Sequence, residues 1–167
     1  MAEHSRGFYT AQEFSIHIFS SQILLNSIEL GRACIHKEHR NGRVLYLLWK
    51  GIASYIQQTE TRYLFGCCSI NSTDPNAGWQ VWDYLYKNGH MNRYYALPVE
   101  AAYRCIRPHN LKQVEVVKLP DLFELYLQIG AKVCSYPALD SEFRSIDYLI
   151  LLDINELNES TKSLFFG

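Results

Sequence analysis

Two near-continuous apolar runs, at residues 63–70 and 146–154, constrain this chain more than any other feature. A strand that is apolar at consecutive positions must be covered on both faces, which requires layers above and below a sheet. Between and beside those runs lie segments with helical spacing. In 44–58, Val44, Leu48, Ile52 and Ile56, with Leu45, Trp49 and Tyr55 beside them, make one broad apolar face. Asp74-Pro75 pairs a capping side chain with a residue that needs no hydrogen-bond partner, and Trp79, Trp82, Leu85 and Tyr86 follow at helical intervals up to Gly89. Pro120 opens a third helix, with Leu122, Leu125, Tyr126 and Ile129 inward and Gly130 as its stop. Residues 27–36, with a glycine at Gly31, read as a further strand, and 131–136 as another. Residues 8–19 read as a short helix and an approach segment, and 90–118 as an irregular excursion without a period. The order predicts a mixed α/β chain (α+β in its mixed sheet), with residues 1–167 forming one domain around a central sheet.

Composition supports a packed core, with 48% apolar and 20% charged residues. The formal charge of −1 excludes a general nucleic-acid binder. Basic residues nevertheless gather at Arg32, Lys37, Arg40, Arg43 and Lys50, interrupted only by Glu38, and form a candidate docking patch for an acidic partner. Five cysteines, with Cys67 and Cys68 adjacent, fit a reducing compartment. A polar start without a signal-peptide pattern predicts a cytoplasmic protein, with peripheral contact to the inner membrane left open. The apolar runs are too short or interrupted to span a bilayer.

Three features fall together: a strand bearing Glu29 and Arg32, a basic Asn41-Gly42 turn, and a helix start. Backbone N–H groups at such a turn make an anion site, to which Arg40 and Arg43 add charge. Strand alternation sets Glu29, Gly31 and Ala33 on one face, a small-residue floor beside a single carboxylate. The plain alternative is that Glu29 pairs with Arg32 or another base at a strand end. Cys34, His36 and His39 lie close in sequence but lack a second ligand pair with zinc spacing, so no metal is expected. Cys67 and Cys68 have no neighbouring histidine and read as core residues. Trp79, Trp82, Tyr84, Tyr86, Tyr94, Tyr95 and Tyr103 read as packing, with the wall of an acyl tunnel as the functional alternative. No serine-hydrolase elbow, Walker loop or dinucleotide fingerprint is present.

The blocks IELGRACIH (28–36), HRNGR (39–43), LLWKGI (47–52), YLFGCCS (63–69), GAKVC (130–134) and IDYL (146–149) resemble, in this order, the acyl-carrier-protein-dependent branch of the GNAT superfamily. That branch includes ornithine N-acyltransferases and hemolysin-like proteins, and the Glu-x-x-Arg strand is similar to that of autoinducer synthases. The resemblance implies a GNAT-like fold whose fourth and fifth strands splay to admit a thioester arm. Glu29 would be the general base on the fourth strand, and residues 63–70 the fifth strand. Arg32 would hold Glu29 ionised or bind the acceptor's carboxylate. Ser69 or a tyrosine would protonate the leaving thiolate. Arg40, Asn41, Gly42 and Arg43 would cradle the donor's phosphate. Because Arg40–Arg43 lacks the glycine spacing of a coenzyme-A loop, the donor implied is an acyl-phosphopantetheine thioester on acyl carrier protein, rather than acyl-CoA. The implied activity is transfer of a long-chain acyl group to the α-amine of an amino acid such as ornithine, giving an N-acyl amino acid or lyso-ornithine lipid. The alternative is a non-catalytic GNAT-like binding module. The membrane-lytic activity implied by the hemolysin label has no amphipathic or spanning segment to support it. Only 28 residues precede Glu29, whereas members of this family carry more sequence there. The reading is therefore of an N-terminally shortened domain whose strand 27–36 has an open edge, inviting a second copy or a cover from residues 8–24.

Overall fold

In a computed structural model, residues 7–32, 34–111 and 117–167 are described. The sheet order is β1 (Ser27–Glu29), β2 (Tyr63–Ile70), β5 (Ser145–Asp153), β3 (Lys132–Val133), with β4 (Ala138–Asp140) also pairing to β5. The two apolar runs are the centre of this sheet. β2 and β5 are antiparallel, running from Tyr63 opposite Asp153 to Ile70 opposite Ile146. β1 is parallel to β2, with Glu29 opposite Phe65. Among the described residues the sheet is mixed, as the helix and strand order predicts.

Alternation along β2 and β5 separates two cores. Leu64, Cys68 and Ile70, with Ile146, Tyr148, Ile150 and Leu152, face helices α2 (Gly42–Thr59), α3 (Pro75–Lys87), α4 (Asp121–Gln128) and α5 (Glu159–Phe166). Tyr63, Phe65, Leu149 and Leu151 face the other way, against Phe14, Ile16, Phe19, Ile23 and Leu24. The chain before β1 is thus the cover of the second face. It consists of short 3-10 turns at Tyr9–Gln12 and Ile16–Ile18 and a one-turn helix, α1 (Ser21–Leu25), capped by the Ser20 hydroxyl. The cover is fastened to residues 98–100: Ser15 N–H donates to Pro98 C=O, Glu100 N–H donates to Glu13 C=O, and Ser15 Oγ donates to Glu100 at 2.8 Å.

Several local expectations need correction. The strand read at 27–36 ends at Glu29, so the small-residue floor beside Glu29 does not form as drawn. Leu30 N–H still donates to Phe65 C=O, after which the chain leaves the sheet and Arg32 takes a left-handed conformation, φ 53°. Ala33 lies outside the described residues, as does part of the excursion, at 112–116. The glycine at Gly66 is required by this departure: a β-carbon there would collide with Leu30 C=O. In α2, Leu45, Trp49, Ile52, Ala53 and Ile56 turn toward the core, while Leu48 and Tyr55 are exposed, because the helix presents only one stripe to the sheet. In α4, Phe123 takes the buried place expected of Leu122. Of the run 131–136 only Lys132 and Val133 pair with β5, and a further strand, β4, forms in the stretch between that run and β5. The C-terminal helix was not anticipated. It packs Phe165 against Trp49, ring centroids 5.4 Å apart.

The expected helix starts hold. Asp74 caps α3 by accepting from Asn76 N–H at 2.9 Å, and Gly89 and Gly130 end their helices at φ 71° and 108°. β1 is an edge strand, and no described strand pairs with its outer side. Ile28 and Leu30 are half-buried against the helical core. No helix among the described residues is long and apolar enough to cross a membrane.

Candidate functional site

The site forms where β1 leaves β2. Pairing stops just beyond Glu29 while β2 continues to Ile70, so the two strands part and a cavity of about 950 Å³ opens in the second face. The three sequence candidates for chemistry, Glu29, Arg32 and Ser69, all line it. A narrow apolar slot of about 20 Å³, between Leu30, Trp49, Gly66, Tyr126 and Ile150, lies in the parting itself. Leu30 and Cys67 border both spaces.

Glu29 is held by backbone. Its two oxygens accept Tyr9 N–H and Thr10 N–H, each at 2.7 Å. These donors sit at the start of a helical turn, where N–H groups lack partners within the turn, and a carboxylate satisfies them. Arg32 makes no described salt bridge with Glu29; its guanidinium stacks over the Tyr9 ring, 5.0 Å from the centroid. The plain pairing of Glu29 with Arg32 is therefore replaced by a shared attachment to Tyr9.

Ser69 stands opposite Asp147 in the β2–β5 register, and its hydroxyl bonds that carboxylate, as does Ser145. Asp147 shares its region with Glu13 and Asp140, one oxygen of each lying within 4.8 Å of the others. Sequence reasoning missed this group. The available signal was an aspartate inside an otherwise apolar strand, Ile146-Asp147-Tyr148, and a glutamate beside Phe14. Glu13 is 3% exposed, Asp140 3% and Asp147 5%, so none is solvated as a surface carboxylate would be. Burial first, and then the neighbouring Asp147, push Glu13 up to about 8; burial raises Asp147 too. Two carboxyl groups so placed share a proton near neutral pH.

Arg40, Asn41, Gly42 and Arg43 form the start of α2, as the turn and helix pattern predicts. Asn41 Oδ1 accepts Val44 N–H at 3.1 Å, and Arg40 Nε donates to Ile35 C=O at 3.0 Å. All four are exposed, and none lines the large cavity. They present an exposed basic surface at the start of α2 rather than an enclosed cradle.

Of the aromatic candidates Trp79 and Trp82 serve packing, whereas Tyr86 and Tyr94 are exposed. Trp79 donates to Cys105 C=O at 2.9 Å and Trp82 stacks between Tyr86 and Tyr136, tying α3 to the neighbouring loops. None of the aromatic residues named as a tunnel wall lines the large cavity. Burial pushes the Cys67 and Cys68 thiols up, away from the thiolate form a nucleophile needs.

Residues 1–50 match a family described as the acetyltransferase (GNAT) domain. That match takes in β1 and ends within the first turns of α2, under a third of the chain. Over nearly its whole length the chain is similar to proteins named L-ornithine N(alpha)-acyltransferase. It is 31% identical to the one from Rhizobium meliloti over 166 residues, 95% of this chain and 55% of that protein. It is 29% identical to the one from Brucella abortus, over 94% of this chain and 58% of that protein. The chain thus spans little more than half the length of these relatives. No solved structure matches it.

Proposed function

We propose that this chain is an amide-forming N-acyltransferase, moving a long-chain fatty acyl group from acyl carrier protein to the α-amine of ornithine or a related amino acid. The observation that carries this reading is the parting of β1 and β2 just past Glu29, which leaves Glu29, Arg32 and Ser69 around one cavity. The names of the relatives support ornithine as the acceptor.

The acceptor's ammonium must lose a proton before its nitrogen can attack a thioester carbonyl. Glu29 accepts that proton, directly or through a water. Each of its oxygens accepts one backbone N–H and keeps acceptor capacity for another donor, and Glu29 lines the cavity. The new C–N bond forms as the carbonyl oxygen gains charge, which backbone N–H groups at the parting strands stabilise. The C–S bond then breaks, the pantetheine thiolate takes a proton from Ser69, which Asp147 orients, and Ser69 takes in turn the proton that the acylated nitrogen sheds as it becomes an amide. Arg32 meets the acceptor's carboxylate, and the end of the pantetheine arm enters the large cavity where β1 and β2 part. The exposed Arg40–Arg43 turn meets the donor's phosphate and the acidic carrier surface. On this reading the protein works in the cytoplasm, peripheral to the membrane that takes up its product, as one domain over 1–167. A second copy on the free edge of β1 would give a homodimer.

The test is to incubate the purified chain with long-chain acyl carrier protein and L-ornithine and to measure N-acylornithine by mass spectrometry. Absence of product from a cooperatively folded sample overturns the reading. One observation favours a second reading, a GNAT-like module that binds the carrier without turnover: both Glu29 oxygens already serve the backbone of the N-terminal cover. Carrier binding without product would establish it.

A further inference from the structure

The buried carboxylates beside Ser69 are more than the proposed transfer step requires. Glu13 comes from the N-terminal cover, Asp140 from the end of β4 and Asp147 from β5, so three separate elements converge on one point. Asp140 is partly engaged, accepting Glu142 N–H and Phe143 N–H through one oxygen. Glu13 and Asp147 bond each other through the proton they share; apart from it, Glu13 Oε2, Asp147 Oδ1 and the hydroxyl of Thr10 are buried with no hydrogen-bond partner among the described residues. Thr10 is 2% exposed and lines the cavity together with the carboxylates. A buried oxygen short of a donor is costly, and here a carboxyl pair with one proton between them and an unpartnered hydroxyl border a space that admits a small molecule. A donor within that space completes the set.

Three oxygens no more than 4.8 Å apart can be reached from one central point at no more than about 2.8 Å from each, within the length of a charge-assisted N–H···O bond. An alkylammonium offers three N–H donors and no acceptor, matching a site made of acceptors. We propose that Glu13 and Asp147, with Asp140 and the Thr10 hydroxyl, form an ammonium subsite for the side-chain amine of a dibasic amino-acid acceptor. The inference rests on the acceptor reading above and assigns its specificity: Glu29 and Arg32 meet the α-amino and carboxyl end, and the carboxylate group meets the far end. The empty pair shares a proton, and a bound cation replaces it, so binding releases a proton to solvent.

The test is titration calorimetry of the intact chain with four probes: L-ornithine, L-norvaline, which lacks the side-chain amine, 1,4-diaminobutane, which lacks the carboxylate, and Mn²⁺. The expected result is that ornithine binds at least ten-fold tighter than norvaline. Its heat should vary with buffer ionisation enthalpy, showing proton release, and Glu13→Gln should close the gap while leaving norvaline binding unchanged. Thr10→Val, which removes only the hydroxyl, serves as the milder variant, with a several-fold loss expected for ornithine alone. Equal affinity for ornithine and norvaline overturns the subsite and leaves an amino-acid acceptor standing. Binding of diaminobutane with neither amino acid keeps the subsite and fails the acceptor reading. No binding by any probe overturns the subsite, and so does tight binding of Mn²⁺ abolished by Glu13→Gln while the amines fail to bind.

Discussion

The two faces of the β2–β5 pair use the same strands for opposite ends. On the helical face, Leu64, Cys68, Ile70, Ile146, Tyr148, Ile150 and Leu152 are all buried, and the one polar group, the Tyr148 hydroxyl, donates to Gly78 C=O at 2.6 Å. On the other face the pattern begins alike, with Tyr63, Phe65, Leu151 and Leu149, but gives way beyond Cys67 to Ser69, Ser145 and Asp147. There a cavity replaces packing, and a buried carboxyl pair shares one proton beside the unpartnered Thr10 hydroxyl. A face that is fully satisfied supplies stability, whereas one that gives up packing and hydrogen bonds is where a ligand would supply what is missing.

The sharpest way to break this contrast is Glu29→Gln, on the open face. Acyl transfer from carrier protein should fall by about 10²–10⁴, as for loss of a general base. Because one Glu29 oxygen is replaced by a donor facing a backbone N–H, a modest fall in melting temperature should accompany it. A variant that melts lower but turns over normally would make Glu29 a structural residue only.

Phe123→Ala tests the sealed face. This side chain is 1% exposed and packs on Tyr148, so truncation should cost about 3–5 kcal/mol in chemical denaturation. Ornithine affinity measured below the unfolding transition should stay unchanged, and a parallel loss would mean that the two faces are not independent.

The pH dependence of stability separates the faces again. Glu13 ionises near its ordinary 4.5 when unfolded but only at about 8 when folded, facing Asp147, Asp140 and Glu29, with Cys67 and Tyr103 nearby. Between those values the folded chain holds the extra proton, so stability falls as pH rises, by up to about 1.4 kcal/mol per unit. Glu13→Gln should flatten that slope and raise stability at pH 8, as read from melts across pH 5–9. An unchanged slope would mean that Glu13 is ionised in the folded state.

Outside both faces, Arg40→Glu with Arg43→Glu should weaken carrier-protein binding about ten-fold, less so at high salt, and leave the KM for the amino acid alone. The smallest effect is expected of Tyr148→Phe, about 1 kcal/mol of stability with no change in transfer, since its hydroxyl serves only Gly78.

The sequence by itself determined the centre of the sheet, the three main helices and their caps. Each rests on local physics: consecutive apolar residues demand double cover, Asp74-Pro75 starts a helix, and glycines at 89 and 130 accept the left-handed backbone that ends one. It also offered Glu29 and Arg32 from the strand-and-turn pattern as well as from the resemblance, and Ser69 from the resemblance alone. Only the tertiary structure decided where β1 stops, because Leu30 and Gly66 meet across 36 residues of chain and no local preference records that contact. The same holds for Glu13 and Asp147, which lie 134 positions apart and read separately as an ordinary acid in a loop and a flaw in an apolar strand. Folding the N-terminal cover onto β5 brings them together, and burial turns two unremarkable carboxylates into a pair that shares a proton.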